Sequence, residues 1–175
     1  MRRNTSSSRS LNRAIAAAYP TGSVFKPITA MASLEEGILT PTQTIFDDGE
    51  FKLGPQTWHN ARDAKFGALQ MSRALTVSSD VFFDTLGSWA FSHGGSVIQK
   101  WARKLGLDRR TGIDVPGEFG GLVPDKQWRD QGYADYQTCV KKAHLHEQTT
   151  QALFKCGGIE RPWSAGDNVN LATGQ

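Results

Sequence analysis

No stretch of the 175-residue sequence supplies the apolar core of a secretory signal, or the about 20 consecutive apolar residues that a membrane-spanning helix needs. There is no Gly-x-x-x-x-Gly-Lys run to cradle phosphates, no internal repeat and no aromatic-and-basic recognition motif. Charge of one sign is scarce too: 20 basic against 17 acidic residues leave a formal +3 and a pI near 9.0. Such a balance suits an anionic surface or polymer and is too small and scattered to argue for nucleic acid. Cysteine is limited to Cys139 and Cys156, whose spacing with His144 and His146 matches no structural zinc signature. Asp47-Asp48-Gly49 lacks EF-hand spacing and reads as a turn. What is present, 38% hydrophobic and 21% charged residues, is ordinary globular composition and enough for one domain with a core.

Against that background one stretch stands out, Thr21-Gly22-Ser23-Val24-Phe25-Lys26-Pro27. With Thr21 or Gly22 as N-cap, the spacing of Ile28, Met31, Ala32 and Leu34 predicts a helix that stops at Gly37. Ser23 and Lys26 then share a face, with Cβ atoms about 5–6 Å apart. A serine hydroxyl must pass its proton to a neighbouring base as it attacks, and a lysine amine serves once its surroundings favour the neutral form. A helix N-terminus also presents free N–H groups where an oxyanion would develop. Pro27 sits near the limit of tolerance, and in a helix running through Ser23 it would leave that residue's carbonyl without its usual partner.

A second cluster follows in Thr76-Val77-Ser78-Ser79-Asp80-Val81-Phe82-Phe83, between helix-forming segments that run from Leu69 to Leu86. In a short loop, Ser78 could face the Lys26 amine as a proton relay and Asp80 a polar substrate group. The plainer alternative is that Ser78, Ser79 or Asp80 caps a helix beginning at Val81. His59 is a further candidate base, or a surface hydrogen-bonding residue. Elsewhere, Met1 to Ser10 read as a disordered leader or the ragged start of a longer protein, Leu11 to Ala18 as a short lead-in, and Leu39 to Gln56 as loops and short strands. Ser96 to Leu107 is an amphipathic helix, with Val97, Ile98, Trp101 and Leu105 on one face and Gln99, Lys100, Arg103 and Lys104 on another. Gly112 to Pro124 is a loop at the far end of the cleft.

Together these motifs and the stretch Arg161 to Gln175 resemble successive signatures of the transpeptidase domain of class B penicillin-binding proteins. Within that family the chain is similar to the elongation-type group called penicillin-binding protein 2. Leu105-Gly106-Leu107, Thr111 to Glu118 and Gly120 to Pro124 fit as well, so the resemblance spans residues 11–175. It implies an α+β fold of the penicillin-binding and serine β-lactamase type. It further implies Ser23 as acylated nucleophile, Lys26 as general base, Ser78 as relay and Asp80 as the group orienting substrate or lysine. Ser79, Gly174 and Gln175 are the implied substrate-binding positions. The substrate would be a peptidoglycan stem peptide ending in D-Ala-D-Ala, with β-lactams as mimics and no metal or organic cofactor. The parent would be anchored in the inner membrane with this domain outside the cytoplasm, alongside cell-shape and polymerase proteins. A disulfide between Cys139 and Cys156 suits the oxidising compartment so implied.

The sequence also departs from the family pattern. Ser-x-x-Lys and Ser-x-Asp are present, whereas Lys-Thr-Gly, whose strand supplies an oxyanion donor, is not among the 175 residues. A partial domain is therefore expected, mostly the helical subdomain with the central antiparallel sheet incomplete, and with the apolar face of the Ser23 helix short of a partner. Residues Trp128 to Tyr136 read as a variable insertion, and Asp84 stands where an aromatic residue is expected. Two other readings stay open: a penicillin-binding remnant without turnover, and a serine β-lactamase or β-lactam sensor.

Overall fold

The computed structural model describes residues 12–175, so the leader expected over residues 1–10 lies outside the described residues. After α1 (Arg13–Ala16), a 3-10 turn over Gly22–Phe25 runs directly into α2 (Lys26–Glu35). Four short strands follow, β1 (Ile45–Asp47), β2 (Glu50–Leu53), β3 (Gln56–His59) and β4 (Gly67–Leu69). The remainder is helical: α3 (Met71–Val77), α4 (Asp80–Ser92), α5 (Val97–Lys104), α6 (Lys126–Lys142), α7 (Thr150–Cys156) and α8 (Ala165–Thr173).

The core is built around α4. Val81, Phe82, Phe83, Leu86 and Ala90 are all buried. A helix apolar on so many sides must be surrounded. Its closest neighbour is α8, and α2 and α5 pack beside it. The approach of α4 and α8 depends on Gly87, where an added Cβ would stand 2.8 Å from the Asn168 carbonyl oxygen and 2.9 Å from the Val169 Cα. Asn168 is buried at this crossing; its amide donates to the Gly87 carbonyl at 2.8 Å and its oxygen accepts from Gln99 at 3.2 Å. Fully burying a Phe, Leu or Val side chain contributes about 1.5–3 kcal/mol, so this helix layer supplies most of the apolar stabilisation.

The strands form two separate antiparallel pairs, β1 with β4 (Ile45 opposite Leu69) and β2 with β3 (Phe51 opposite Trp58). Gly54 at φ +58° followed by Pro55 with its fixed negative φ makes the two-residue connection of the second pair, the backbone pattern of a type II′ turn. That hairpin leans on α8 through the Trp58 indole, which donates to the Asn170 side chain at 2.7 Å. Helices with two small antiparallel pairs agree with the α+β class and the incomplete sheet expected from the sequence.

Several local expectations need correction. The α-helix begins at Lys26 rather than at Thr21 or Gly22, because the chain first makes a 3-10 turn. Pro27 therefore falls in the first helical turn, where its missing N–H costs nothing, and the Ser23 carbonyl is satisfied by the Lys26 N–H. The face of α2 is not short of partners either: Thr29, Ala30, Ala32 and Ser33 are buried against α4, α5 and α8. Leu105 lies beyond the end of α5 and is exposed, while Gln99, assigned to the polar face, is buried. Trp128 to Tyr136 belong to the long helix α6, which with α7 closes a small second core of Tyr136, Val140 and Ala152. Cys139 and Cys156 join these two helices as a disulfide, Cα atoms 5.6 Å apart, so neither thiolate remains for a metal.

Candidate active site

Two turns of the chain bring the chemistry together. Ser23 sits on the exposed side of the 3-10 turn, and Lys26, the next residue but two, is 1% exposed. From the other side, α3 ends with Ser78 in the left-handed region at φ 56°, ψ 42°, a reversal that turns its side chain and carbonyl back toward α2. The Lys26 Nζ donates to the Ser78 carbonyl at 2.7 Å, to the Ser78 Oγ at 3.0 Å and to the Asp80 Oδ1 at 2.7 Å. Three oxygens thus surround the amine, as many as an ammonium has hydrogens to give. The Phe83 ring lies 5.6 Å away and closes the apolar side.

The Ser79–Val81 segment is held from behind. The Ser79 Oγ donates to the Asp47 Oδ2 at 2.5 Å and accepts from the Phe82 N–H at 3.0 Å, capping α4. The Asn60 Oδ1 accepts from the Asp80 N–H at 2.7 Å and the Val81 N–H at 3.1 Å, and its amide nitrogen donates to both Asp47 oxygens at 2.8 and 2.9 Å. Opposite, the far end of α8 closes on the Ser23 turn: the Gly22 N–H donates to the Gly174 carbonyl at 2.8 Å and Thr29 to the Ala172 carbonyl at 2.9 Å. α8 is itself fixed by a Ser164–Asp167 capping box and by Arg161, which grips the Asp167 carboxylate with two guanidinium nitrogens. Burial pushes Asp167 up, but Arg161, Ser164 and Arg129 outweigh it and hold the carboxyl below its usual value.

Asp84, where an aromatic residue was expected, lies one helical turn beyond Asp80 and is 1% exposed, with no hydrogen-bond partner for either oxygen among the described residues. Burial and then the Asp80 charge push its carboxyl up to about 8, Lys26 opposing and Asp47 adding to the shift. Asp84 thus holds a largely neutral carboxyl near neutrality, on the same side of α4 as Asp80.

The structure brings together Lys26, Ser78 and Asp80; Ser23 stands three residues before Lys26 on the exposed side of the 3-10 turn, with no side-chain hydrogen bond to any of the three among the described residues. Ser79, expected to bind substrate, faces inward and is spent on the α4 cap, because the strand-borne Asp47 claims its hydroxyl. Gly174 serves through its backbone, at φ +79° and against Gly22, where a side chain would collide. Gln175 is exposed beside it, and His59 stays on the surface at the end of β3. A cavity of about 820 Å³ runs between Tyr19–Thr21, Gly120–Pro124 and the end of α8 but touches neither Ser23 nor Lys26, so hydrogen bonding marks the site better than cavity size does. Sequence reasoning missed Asn60 and the buried role of Asp47; the available signal was Asp47 itself, an acidic residue that ends a short strand just before a turn.

A lysine amine bonded to the Ser-x-Asp hydroxyl and carboxylate, three residues after an exposed serine, is the arrangement that the sequence resemblance to penicillin-binding proteins implies. Residues 2–151 match the penicillin binding protein transpeptidase domain family, and the chain belongs to that family. More particularly, it is similar to the peptidoglycan D,D-transpeptidase MrdA. It is 36% identical to that of Acinetobacter baumannii over 121 residues, 67% of this chain and 17% of that protein. It is 30% identical to that of Escherichia coli K12 over 168 residues, 94% of this chain and 22% of that protein. Penicillin-binding protein 2 from Helicobacter pylori, in complex with MreC, superposes with a TM-score of 0.71 at 27% identity, covering 94% of this chain and 26% of that one. The chain spans about a fifth of the length of the curated relatives it matches.

Proposed function

We propose that this chain carries the nucleophile and proton-transfer groups of a peptidoglycan D,D-transpeptidase. The observation that carries the reading is the buried Lys26 amine, bonded at once to the Ser78 hydroxyl and the Asp80 carboxylate and one turn from Ser23. Ser23 Oγ attacks the carbonyl between the last two D-alanines of a stem peptide and passes its proton to Lys26, directly or through Ser78. The peptide C–N bond then breaks, the leaving D-alanine takes up a proton, and the acyl group stays on Ser23 as an ester until an amine of a second stem attacks it. Asp80 holds the amine in line throughout. β-Lactams would acylate the same oxygen by ring opening.

The named relatives and the Helicobacter pylori complex with MreC support a setting in peptidoglycan synthesis with a partner of the MreC kind; a polymerase partner and a site outside the cytoplasmic membrane complete the proposal. Among the described residues no helix is long and apolar enough to cross a membrane. The test is incubation with a pentapeptide ending in D-Ala-D-Ala. Release of D-alanine with a matching acyl adduct on Ser23, blocked by penicillin and absent in Ser23→Ala, is expected. Release unchanged in Ser23→Ala would overturn the reading.

A further inference from the structure

Ser78 and Asp80 meet Lys26 only if the loop between α3 and α4 keeps its shape, and that shape is fixed from a distance. The N–H groups at a helix start have no intrahelical partner, and here two of them, on Asp80 and Val81, point at the side chain of Asn60, twenty residues upstream. The third, on Phe82, points at Ser79, whose hydroxyl is claimed by Asp47. The orientation of the Asn60 amide is forced. Its nitrogen faces only acceptors, the two Asp47 oxygens and the Ala64 carbonyl at 2.9 Å, and its oxygen faces only donors, so a flip would break all five bonds. Asp47 is in turn steadied by the Gly49 N–H at 2.9 Å, and both residues are buried.

Three consecutive residues, Ser79, Asp80 and Val81, are therefore tied on one side to the Asp47–Asn60 pair, while Ser78 and Asp80 are tied on the other to Lys26. We infer that Asn60, oriented by Asp47, is a positioning residue for the proton-transfer group, capping α4 from outside and setting where Ser78 and Asp80 meet the Lys26 amine. As far as catalysis is concerned this rests on the acyl-serine reading above; as a statement of geometry it does not.

The test follows from the donor and acceptor pattern. In Asn60→Asp a carboxylate replaces the amide that faces Asp47, and adding Asp47→Asn restores one donor facing one acceptor. Penicillin acylation is followed over a range of concentrations to separate the limiting rate from the initial affinity. Two readouts need no activity: hydrogen exchange of the Asp80 and Val81 amides, and acetylation of Lys26 by acetic anhydride. Asn60→Asp is expected to exchange these amides about tenfold faster, the scale of a lost helix cap, to expose Lys26 to acetylation, and to lower the limiting rate with little change in affinity. The double variant is expected to recover part of all three. Should Asn60→Asp fail to fold, Asp47→Asn alone, of unchanged size, takes its place. Exchange and acetylation at wild-type values in the folded variant would overturn the inference. A wild-type chain that forms no adduct while the two geometric readouts shift would sink the acyl-serine reading and leave the positioning role standing.

Discussion

Asp84 is the residue least at home in its surroundings. A carboxyl with its folded-state value pushed up to about 8 binds its proton more tightly in the native state than in the unfolded chain, where 3.8 applies. The contribution of this one group is then fully present below pH 4, falls as the pH rises through the interval up to 8 and levels off beyond it. Asp84→Asn and Asp84→Leu remove this titration. Denaturant unfolding at pH 5 and pH 8.5 is expected to show the wild type losing several kcal/mol more than either variant, on the order given by about 1.4 kcal/mol per pH unit. Equal losses in all three would show that Asp84 finds a partner in solution. Asp80, on the same face of α4, matters through its bond to Lys26. Asp80→Ala leaves the buried Lys26 amine short of its carboxylate, and acylation by penicillin is expected to slow at least about tenfold, with Asp80→Asn closer to wild type because one acceptor oxygen is kept.

Between elements, the contact of α4 with α8 decides whether the two halves of the site face each other. A methyl group at Gly87 would meet backbone atoms of Asn168 and Val169, which cannot yield without moving α8. Gly87→Ala is expected to cost about 1–3 kcal/mol in denaturant unfolding. Gly132→Ala makes the instructive contrast. There the added carbon meets only the outer carbons of the Ile159 side chain, which can rotate, so a smaller loss is expected. Losses of equal size would mean that α8 does not dock on α4 as described. This contact also shows what could be read in advance. The α5 helix and the break before α4 were legible because their signals lie within a few residues of one another. The burial of Gln99 against Asn168 and the close approach at Gly87 were not, because partners sixty-nine and more than eighty residues away decide them.

At the scale of the whole molecule, the α6–α7 hairpin has a small core of its own, apart from the one that surrounds α4. The disulfide between Cys139 and Cys156 closes a loop of 17 residues, worth about 3 kcal/mol to whatever unfolds with it, and pins the small core around Tyr136 rather than the Lys26 cluster. Reduction is expected to speed hydrogen exchange over residues 138–156 while leaving the Lys26 segment protected; loosening of both together would tie the hairpin to the site. The four candidate residues were legible in the sequence because each pair lies within one short motif, Ser23 with Lys26 and Ser78 with Asp80. Asp47 and Asn60 were hidden because their partners are brought to them only by the fold, whereas Ser79 as a helix cap was among the readings the sequence offered, its inward-facing bond to Asp47 being set by the fold. The central claim, that Ser23 is a nucleophile served by Lys26, is tested most directly by the intact mass of the chain after incubation with a penicillin. One penicillin-sized adduct is expected on the wild type, mapped to Ser23, lost in Ser23→Ala and strongly slowed in Lys26→Ala. An adduct that persists in Ser23→Ala, or that forms at the wild-type rate without Lys26, would contradict it.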